Sequence, residues 1–334
     1  MRDRRTTQKD VALLAGVSQA TVSMVISGAS SAIPAETSER ISAAARELGY
    51  MPNRFAQALK TNRTMTIACV VPDITNPFYP ALMRAIQSVC EAHDYDVIAV
   101  NTDGMAQREQ RFLDWARQGR VDGVVGVFWT LRASDFKPLV DSGVPVVRIE
   151  SSRKGIGSIP LDNIFVDSRA GSFAMVQYLI GRGHRQIAMI AGRGGPQQVR
   201  IEGYAEALIQ AGGTPDVVMD DKFSEEGGAR AAASILARPR RPTAIFAAND
   251  LMAIGAMQTM LGAGLSVPGD MAVAGFDDIS AATLVKPALT TVAQFQSDVG
   301  VKAAQVLMDR MSGNAPDIGS AIEMPFKLIE RQST

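Results

Sequence analysis

TQKDVALLAGVSQATVSMVISG, residues 7–28, reads as two short helices joined by a tight turn. Thr7 opens the first helix, and Asp10 three residues later completes a capping box. Val11, Ala12, Leu14 and Ala15 then fall at helical spacing on one side. Gly16 ends the helix, because only glycine takes a left-handed backbone cheaply at a helix end. Val17 packs inward and Ser18 caps a second helix with Val22, Val25 and Ile26 on its apolar stripe. Gln19, Ala20, Thr21, Ser23 and Met24 point elsewhere. This is the layout of a helix-turn-helix, whose second helix lies in the DNA major groove and reads base edges from its N-terminal residues.

A third helix follows, opened by Pro34 and patterned by Ile41, Ala44, Ala45 and Leu48 until Gly49. MPNRFAQAL, residues 51–59, is a short segment with helical character but no core of its own. Through Arg63 the chain carries nine Lys and Arg residues against five Asp and Glu, whereas the whole sequence is neutral. A basic head on a slightly acidic body suits phosphate binding by the head.

At 334 residues with 46% hydrophobic content, the chain has room for more than one domain and ample material for a core. No apolar run approaches the ~18 residues needed to span a bilayer. MRDRRTTQKD has charge but no apolar stretch after it, so it is not a secretory signal. Cys69 and Cys90 sit in apolar patterns and are expected as buried thiols in a reducing compartment. A cytoplasmic location and no membrane contact are expected.

From Met65 onward, β-branched, nearly continuous apolar runs predict strands over residues 66–71, 96–100, 123–128, 144–149, 186–191, 243–247 and 271–275. Helical patterns fall between them at 79–92, 107–118, 168–182, 196–211, 225–237, 249–261 and 297–311. Repeated alternation of strand and helix predicts doubly wound parallel sheets, with enough elements for two α/β lobes. Ligands bind such sheets at the carboxyl ends of the strands, and two such ends facing each other make a cleft.

DVALLAGVSQATVSMVISG, with a third helix ending in ELGYMPNRFAQAL, resembles the headpiece of the lactose/galactose repressor (LacI/GalR) family of bacterial transcription regulators, and the match continues through the body. The resemblance implies an all-α helix-turn-helix headpiece at residues 1–51, a hinge helix and linker at 52–64, and a periplasmic-binding-protein-like body. The body's first lobe is expected at 65–163 and 293–322, its second at 164–292 and 323–334. The resemblance further implies a homodimer on a pseudo-palindromic double-stranded operator, controlled by a small effector, a sugar or sugar derivative, held between the lobes. Dimer is preferred to tetramer, because no leucine-heptad tail follows the last strand.

The DNA contacts implied are Thr7, Ser18, Gln19, Ala20, Thr21, Ser23, Met24, Asn53, Ala56 and Leu59. Gln19 and Ala20 are assigned to base edges, Ser18, Thr21 and Ser23 to phosphates, and Leu59 to a minor-groove wedge. Relatives mostly carry arginine where Met24 stands, so the operator is expected to differ there. The effector contacts implied are Asp73, Phe78, Tyr79, Glu150, Arg200, Phe223, Asn249, Asp277 and Gln294. Flat aromatics beside carboxylates suit a sugar's C–H face and hydroxyl rim. Asp167, and less well Asp162, stands near the lobe crossing where the family often has an acid near the inducer. Val127, followed by Phe128 and Trp129, replaces a polar contact found in some members. Asp250 and Asp278 are read as helix caps.

A periplasmic-type sugar-binding protein shares the two lobes but needs a signal peptide and no headpiece. For a sugar-processing enzyme, the sequence offers no nucleophile with a paired base and no metal-ligand spacing. Gly192-Arg193-Gly194-Gly195 follows a strand, yet its spacing fails the G-x-G-x-x-G pattern. His93 and His184 are far apart, and His184 sits in a structural turn. No catalytic residue, metal or cofactor is expected.

Overall fold

The computed structural model describes residues 6–26, 33–51, 61, 63–155 and 157–334. Asn53, Ala56 and Leu59 lie outside the described residues. The chain forms two compact units, Met1–Thr64 and Met65–Thr334.

In the first unit, α1 (Gln8–Ala15) and α2 (Gln19–Ile26) bend by 106° at their turn. The Thr7 backbone N–H and hydroxyl both donate to Asp10, at 2.8 and 2.7 Å. Gly16 adopts φ +64°, and the following Val17 N–H closes on the Ala12 carbonyl at 3.0 Å. The Ser18 hydroxyl oxygen accepts the Thr21 N–H at 3.1 Å, capping α2. With α3 (Ala35–Glu47), these helices bury Val11, Ala12, Ala15, Val22, Ile41 and Ala44 in one cluster. Leu14, expected on the buried side of α1, is instead 47% exposed. At ~100° per residue, Val11, Ala12 and Ala15 define a narrow buried arc, and Leu14 falls outside it.

The second unit has two parallel sheets. Its first elements are β1 (Thr66–Val71), α4 (Phe78–Glu91), β2 (Asp96–Asn101), α5 (Ala106–Ala116), β3 (Gly123–Gly126), α6 (Lys137–Asp141), β4 (Val146–Glu150) and β5 (Asp162–Val166). Next come α7 (Ser168–Gly181), β6 (Ile187–Gly192), α8 (Gln197–Gln210), β7 (Asp216–Asp220), α9 (Glu225–Leu236), β8 (Ala244–Ala247), α10 (Asp250–Gly262) and β9 (Ala272–Ala274). The chain ends with α11 (Ala281–Leu284), β10 (Thr291–Ala293), α12 (Gln296–Met311), β11 (Ala321–Met324) and β12 (Lys327–Ile329). Among the described residues, the strand orders are β11-β5-β4-β3-β1-β2 and β7-β6-β8-β9, with β10 and β12 paired antiparallel.

Alternate residues of β1 show why its run is continuously apolar. Ile67, Cys69 and Val71 pack with Leu82 and Ile86 of α4 and Val299 and Leu307 of α12. Ala68 and Val70 pack on the other face with Phe112 and Leu113 of α5. α12 seats closely on α4, since a Cβ at Gly300 would meet the Leu82 carbonyl oxygen at 2.5 Å. In the second sheet, Ile190, Ile245 and Val273 face α9 and α10, while Met189 and Phe246 face α7 and α8. Cys69 and Cys90 are buried free thiols, and burial pushes them up to about 12 and about 11.

Two expected lobe boundaries are displaced. β5 pairs with β4 through Val147–Asp162 and Glu150–Phe165, so the first lobe's sheet runs past residue 163 to Val166. β11 pairs with β5 as far as Met324–Val166, so the first lobe also extends past 322. In both cases the expected division cuts through a hydrogen-bonded strand. In each sheet the chain winds outward in both directions, from β1 towards β2 and β3 and from β6 towards β7 and β8. Loops at such a point diverge and leave a crevice. Among the described residues, no single helix is long and apolar enough to cross a membrane.

Candidate functional site

A cavity of about 1090 Å³ lies between the lobes, at the carboxyl ends of both parallel sheets. All nine residues expected around a ligand, Asp73, Phe78, Tyr79, Glu150, Arg200, Phe223, Asn249, Asp277 and Gln294, line it.

Arg200, in the first turn of α8, is 4% exposed. Its Nη2 lies 3.2 Å from Asp277 Oδ1, its Nη1 donates to the Ala248 carbonyl, and its guanidinium carbon sits 3.8 Å over the Phe276 ring. The buried Arg200 Nε–H meets no acceptor among the described residues. Asp277 also accepts Gln294 Nε2 at 2.6 Å. Its backbone has φ +118°, a strained conformation for a residue with a side chain. The strand-like bond from Asp277 N–H to the Val292 carbonyl, 2.9 Å, holds it there. Burial pushes the Asp277 carboxyl up to about 6, with Arg200 and Gln294 pulling the other way. Burial likewise lowers the Arg200 guanidinium, and Asp277 opposes this.

The loop after β1 is locally ordered. Asp73 Oδ1 accepts the Thr75 N–H and hydroxyl at 2.9 and 2.6 Å, and Asn76 Oδ1 accepts the Phe78 N–H at 3.0 Å. Phe78 and Tyr79 meet edge to face, centroids 5.1 Å apart. Phe78 packs against the cores of both lobes, and Tyr79 is buried, which raises its phenol. Both aromatics therefore serve the core and the cavity wall together. Phe223 lies over Gly192, where a Cβ would approach its ring to 2.6 Å.

Trp129 is the main lining residue that the site assignment missed. Its backbone N–H donates to the buried Glu109 of α5 at 2.7 Å, and Thr130 donates to the same carboxylate through its N–H at 3.0 Å and its hydroxyl at 2.5 Å. Glu109 thus fixes the loop after β3. The indole rests against Gly194 and Gly195 of the second lobe and Gly104 of the first, and its centroid is 5.9 Å from that of Phe223. Gly192 thus makes room for Phe223, and Gly194 and Gly195 seat this indole, which explains the glycines without a dinucleotide. Arg148 was missed as well, although an arginine within the apolar run VPVVRIE is itself a signal.

Other expectations are corrected. Asn249 lines the cavity, but its Oδ1 caps α10 at Met252 N–H, 2.9 Å, and its Nδ2 donates to the Phe223 carbonyl at 3.3 Å. Asn249 is therefore the cap, and Asp250 is not. Asp250 binds the Thr291 hydroxyl and the Ile279 N–H at 2.5 and 2.9 Å, and burial raises its carboxyl strongly. Asp278 pairs with Arg331 at 2.6 Å instead of capping a helix. Asp167 caps α7 through Ala170 N–H at 3.0 Å, and Asp162 pairs with Arg310, and neither lines the cavity. His93 and His184 are also absent from its lining, and His184 bonds the Thr243 hydroxyl at 2.9 Å.

On α2, Gln19, Ala20 and Met24 are exposed, and Thr21 and Ser23 are half-buried. Ser18 and Thr21 share a hydroxyl–hydroxyl bond of 2.8 Å in addition to the cap. Thr7 is held in its capping box with Asp10. The exposed N-terminal side of α2 thus carries one long amide, small residues and a thioether.

Residues 7–53 match the profile described as bacterial regulatory proteins, lacI family, and residues 176–334 match a periplasmic binding protein-like domain. The chain is 38% identical to the ribose operon repressor of Escherichia coli (strain K12), over 92% of this chain and 93% of that protein. It is similar to the structure of the lac repressor dimer bound to operator and the anti-inducer ONPF, with a TM-score of 0.86 and 27% identity over 99% of each chain. It also resembles the complex of the transcriptional regulator CelR with cellobiose, with a TM-score of 0.72 and 31% identity over 99% of this chain and 100% of that one. The headpiece, the two-lobed body and these likenesses place the chain in the lacI family of bacterial regulatory proteins.

Proposed function

We propose that this protein is a transcriptional repressor that binds a pseudo-palindromic operator as a homodimer and is controlled by a sugar or sugar derivative in the interlobe cavity. The observation that carries the effector reading is Arg200. A guanidinium that lines the cavity and is held in place by Asp277 and Ala248 offers fixed donors to a ligand oxygen. Asp277 and Gln294 beside it supply acceptors and donors for neighbouring hydroxyls, and Phe78, Tyr79 and Phe223 supply flat apolar faces. The operator bound by the similar lac repressor dimer and the cellobiose bound by CelR support the same assignment. In the headpiece, Gln19 and Ala20 read base edges, Met24 touches an apolar base edge such as a thymine methyl, and Thr7, Ser18, Thr21 and Ser23 lie against phosphates. The protein acts in the cytoplasm and catalyses no reaction.

Thermal-shift screening against pentoses, hexoses, disaccharides and nucleosides tests the effector reading. A sugar at about 100 times its Kd stabilises the folded state by about 2.7 kcal/mol and raises the Tm by about 5 °C. Arg200→Met is expected to abolish that rise. A response to nucleosides alone would overturn the sugar assignment.

A further inference from the structure

The cavity contains a second buried arginine–carboxylate pair, on the opposite lobe from Arg200 and Asp277. Arg148, in the middle of β4, is 4% exposed, and its Nη1 lies 3.1 Å from Oε1 of Glu150 at the strand's end. Its Nε and Nη2 donate to Asn163 Oδ1 at 3.0 and 2.6 Å, and Asn163 is tied to the Leu161 carbonyl at 3.3 Å. The guanidinium is therefore fixed between Asn163 and Glu150. Both Arg148 and Glu150 line the main cavity. Apolar residues of similar volume commonly replace a buried ion pair without loss of stability, so folding alone is a weak reason to keep this one.

The sheet order separates the two pairs. Along β1-β3-β4, the loop carrying Trp129 follows the middle strand. On one side stands the start of α4, after the β1 loop, with Tyr79, which feels the charges of Arg200 and Asp277. On the other side stand Arg148 and Glu150. Trp129, pinned by Glu109 and seated on Gly194 and Gly195, lines the same cavity from the loop after the middle strand. At about 1090 Å³ the cavity lies at the upper end of the range for drug-sized ligands, and a single sugar ring leaves much of it unfilled.

We propose that Arg148 and Glu150 form a second glycosyl subsite, so that the effector is a disaccharide or longer glycoside with one ring at Arg200–Asp277 and the next at Arg148–Glu150. This rests on the sugar reading of the cavity. A guanidinium beside a carboxylate donates to one hydroxyl and accepts from its neighbour, which matches a vicinal diol. Lys154, whose Nζ is 3.9 Å from Glu150, adds a donor at the rim.

Isothermal titration of the full chain with glucose, xylose, cellobiose, maltose, xylobiose and glucose 6-phosphate tests the proposal. One disaccharide is expected to bind at least about tenfold more tightly than the monosaccharide that forms its rings. Glu150→Gln, which leaves Arg148 an oxygen to bond, is expected to bring that ratio close to one. Arg148→Met, if it folds, is expected to do the same. Equal affinity for monosaccharide and disaccharide, an unchanged ratio in Glu150→Gln, or preference for the sugar phosphate overturns the second subsite and leaves the sugar reading standing. Failure of every sugar to bind the wild-type chain overturns both.

Discussion

Asp277 concentrates the chemistry of the cavity: a carboxylate on strained backbone, shared between Arg200 and Gln294 and raised by burial to about 6. Between about pH 4 and 6 the folded chain holds a proton that the unfolded chain has released, so this group lowers stability as pH rises across that window. For a ligand whose hydroxyls donate to the ionised carboxylate, the sign is opposite. Affinity should be level above about pH 7 and fall below about pH 6, by up to tenfold per pH unit for one proton. Asp277→Asn, which cannot ionise, should bind more weakly and show a flatter profile in calorimetric titrations from pH 5 to 8. An equally steep fall in that variant would assign the titration to Asp250 or Glu150, which burial also raises. Arg148 stands out locally, as a charge within an apolar run, whereas Trp129 does not. Trp129 owes its position to Glu109, 20 residues earlier, and to glycines in the other lobe. No local pattern carries such contacts.

At the scale of elements, α9 and α10 pack backbone to backbone. A Cβ on Gly255 would lie 1.9 Å from the Glu225 carbonyl oxygen, and one on Gly228 would lie 2.1 Å from that of Met252. Gly255→Ala must push the helices apart and should cost about 1–3 kcal/mol, read as a lower urea midpoint. Gly262→Ala on the same helix meets nothing within 4 Å and should be neutral or gain up to about 1 kcal/mol. The central strands and long helices were legible because both faces of each sheet are covered, giving unbroken apolar runs such as TIACVV. β5, DNIFV, was not recognised, although it is buried throughout. Its Asp162 and Asn163 pair with Arg310 and Arg148, so polar residues that are satisfied far along the chain interrupt the pattern. β7, β11 and β12 are half-covered strands at sheet edges or in a two-stranded pair, and their sequences are correspondingly mixed.

At the scale of the whole molecule, one coupling free energy joins a DNA-reading headpiece to a ligand-binding body. Linkage makes that coupling reciprocal: whatever factor the ligand imposes on operator affinity, the operator imposes on ligand affinity. The most direct test is fluorescence anisotropy of a labelled operator duplex, selected from a random pool, titrated with the protein with and without a saturating sugar found by thermal shift. The sugar is expected to change the operator Kd by at least about fivefold. An operator Kd that stays the same with the cavity saturated would contradict it.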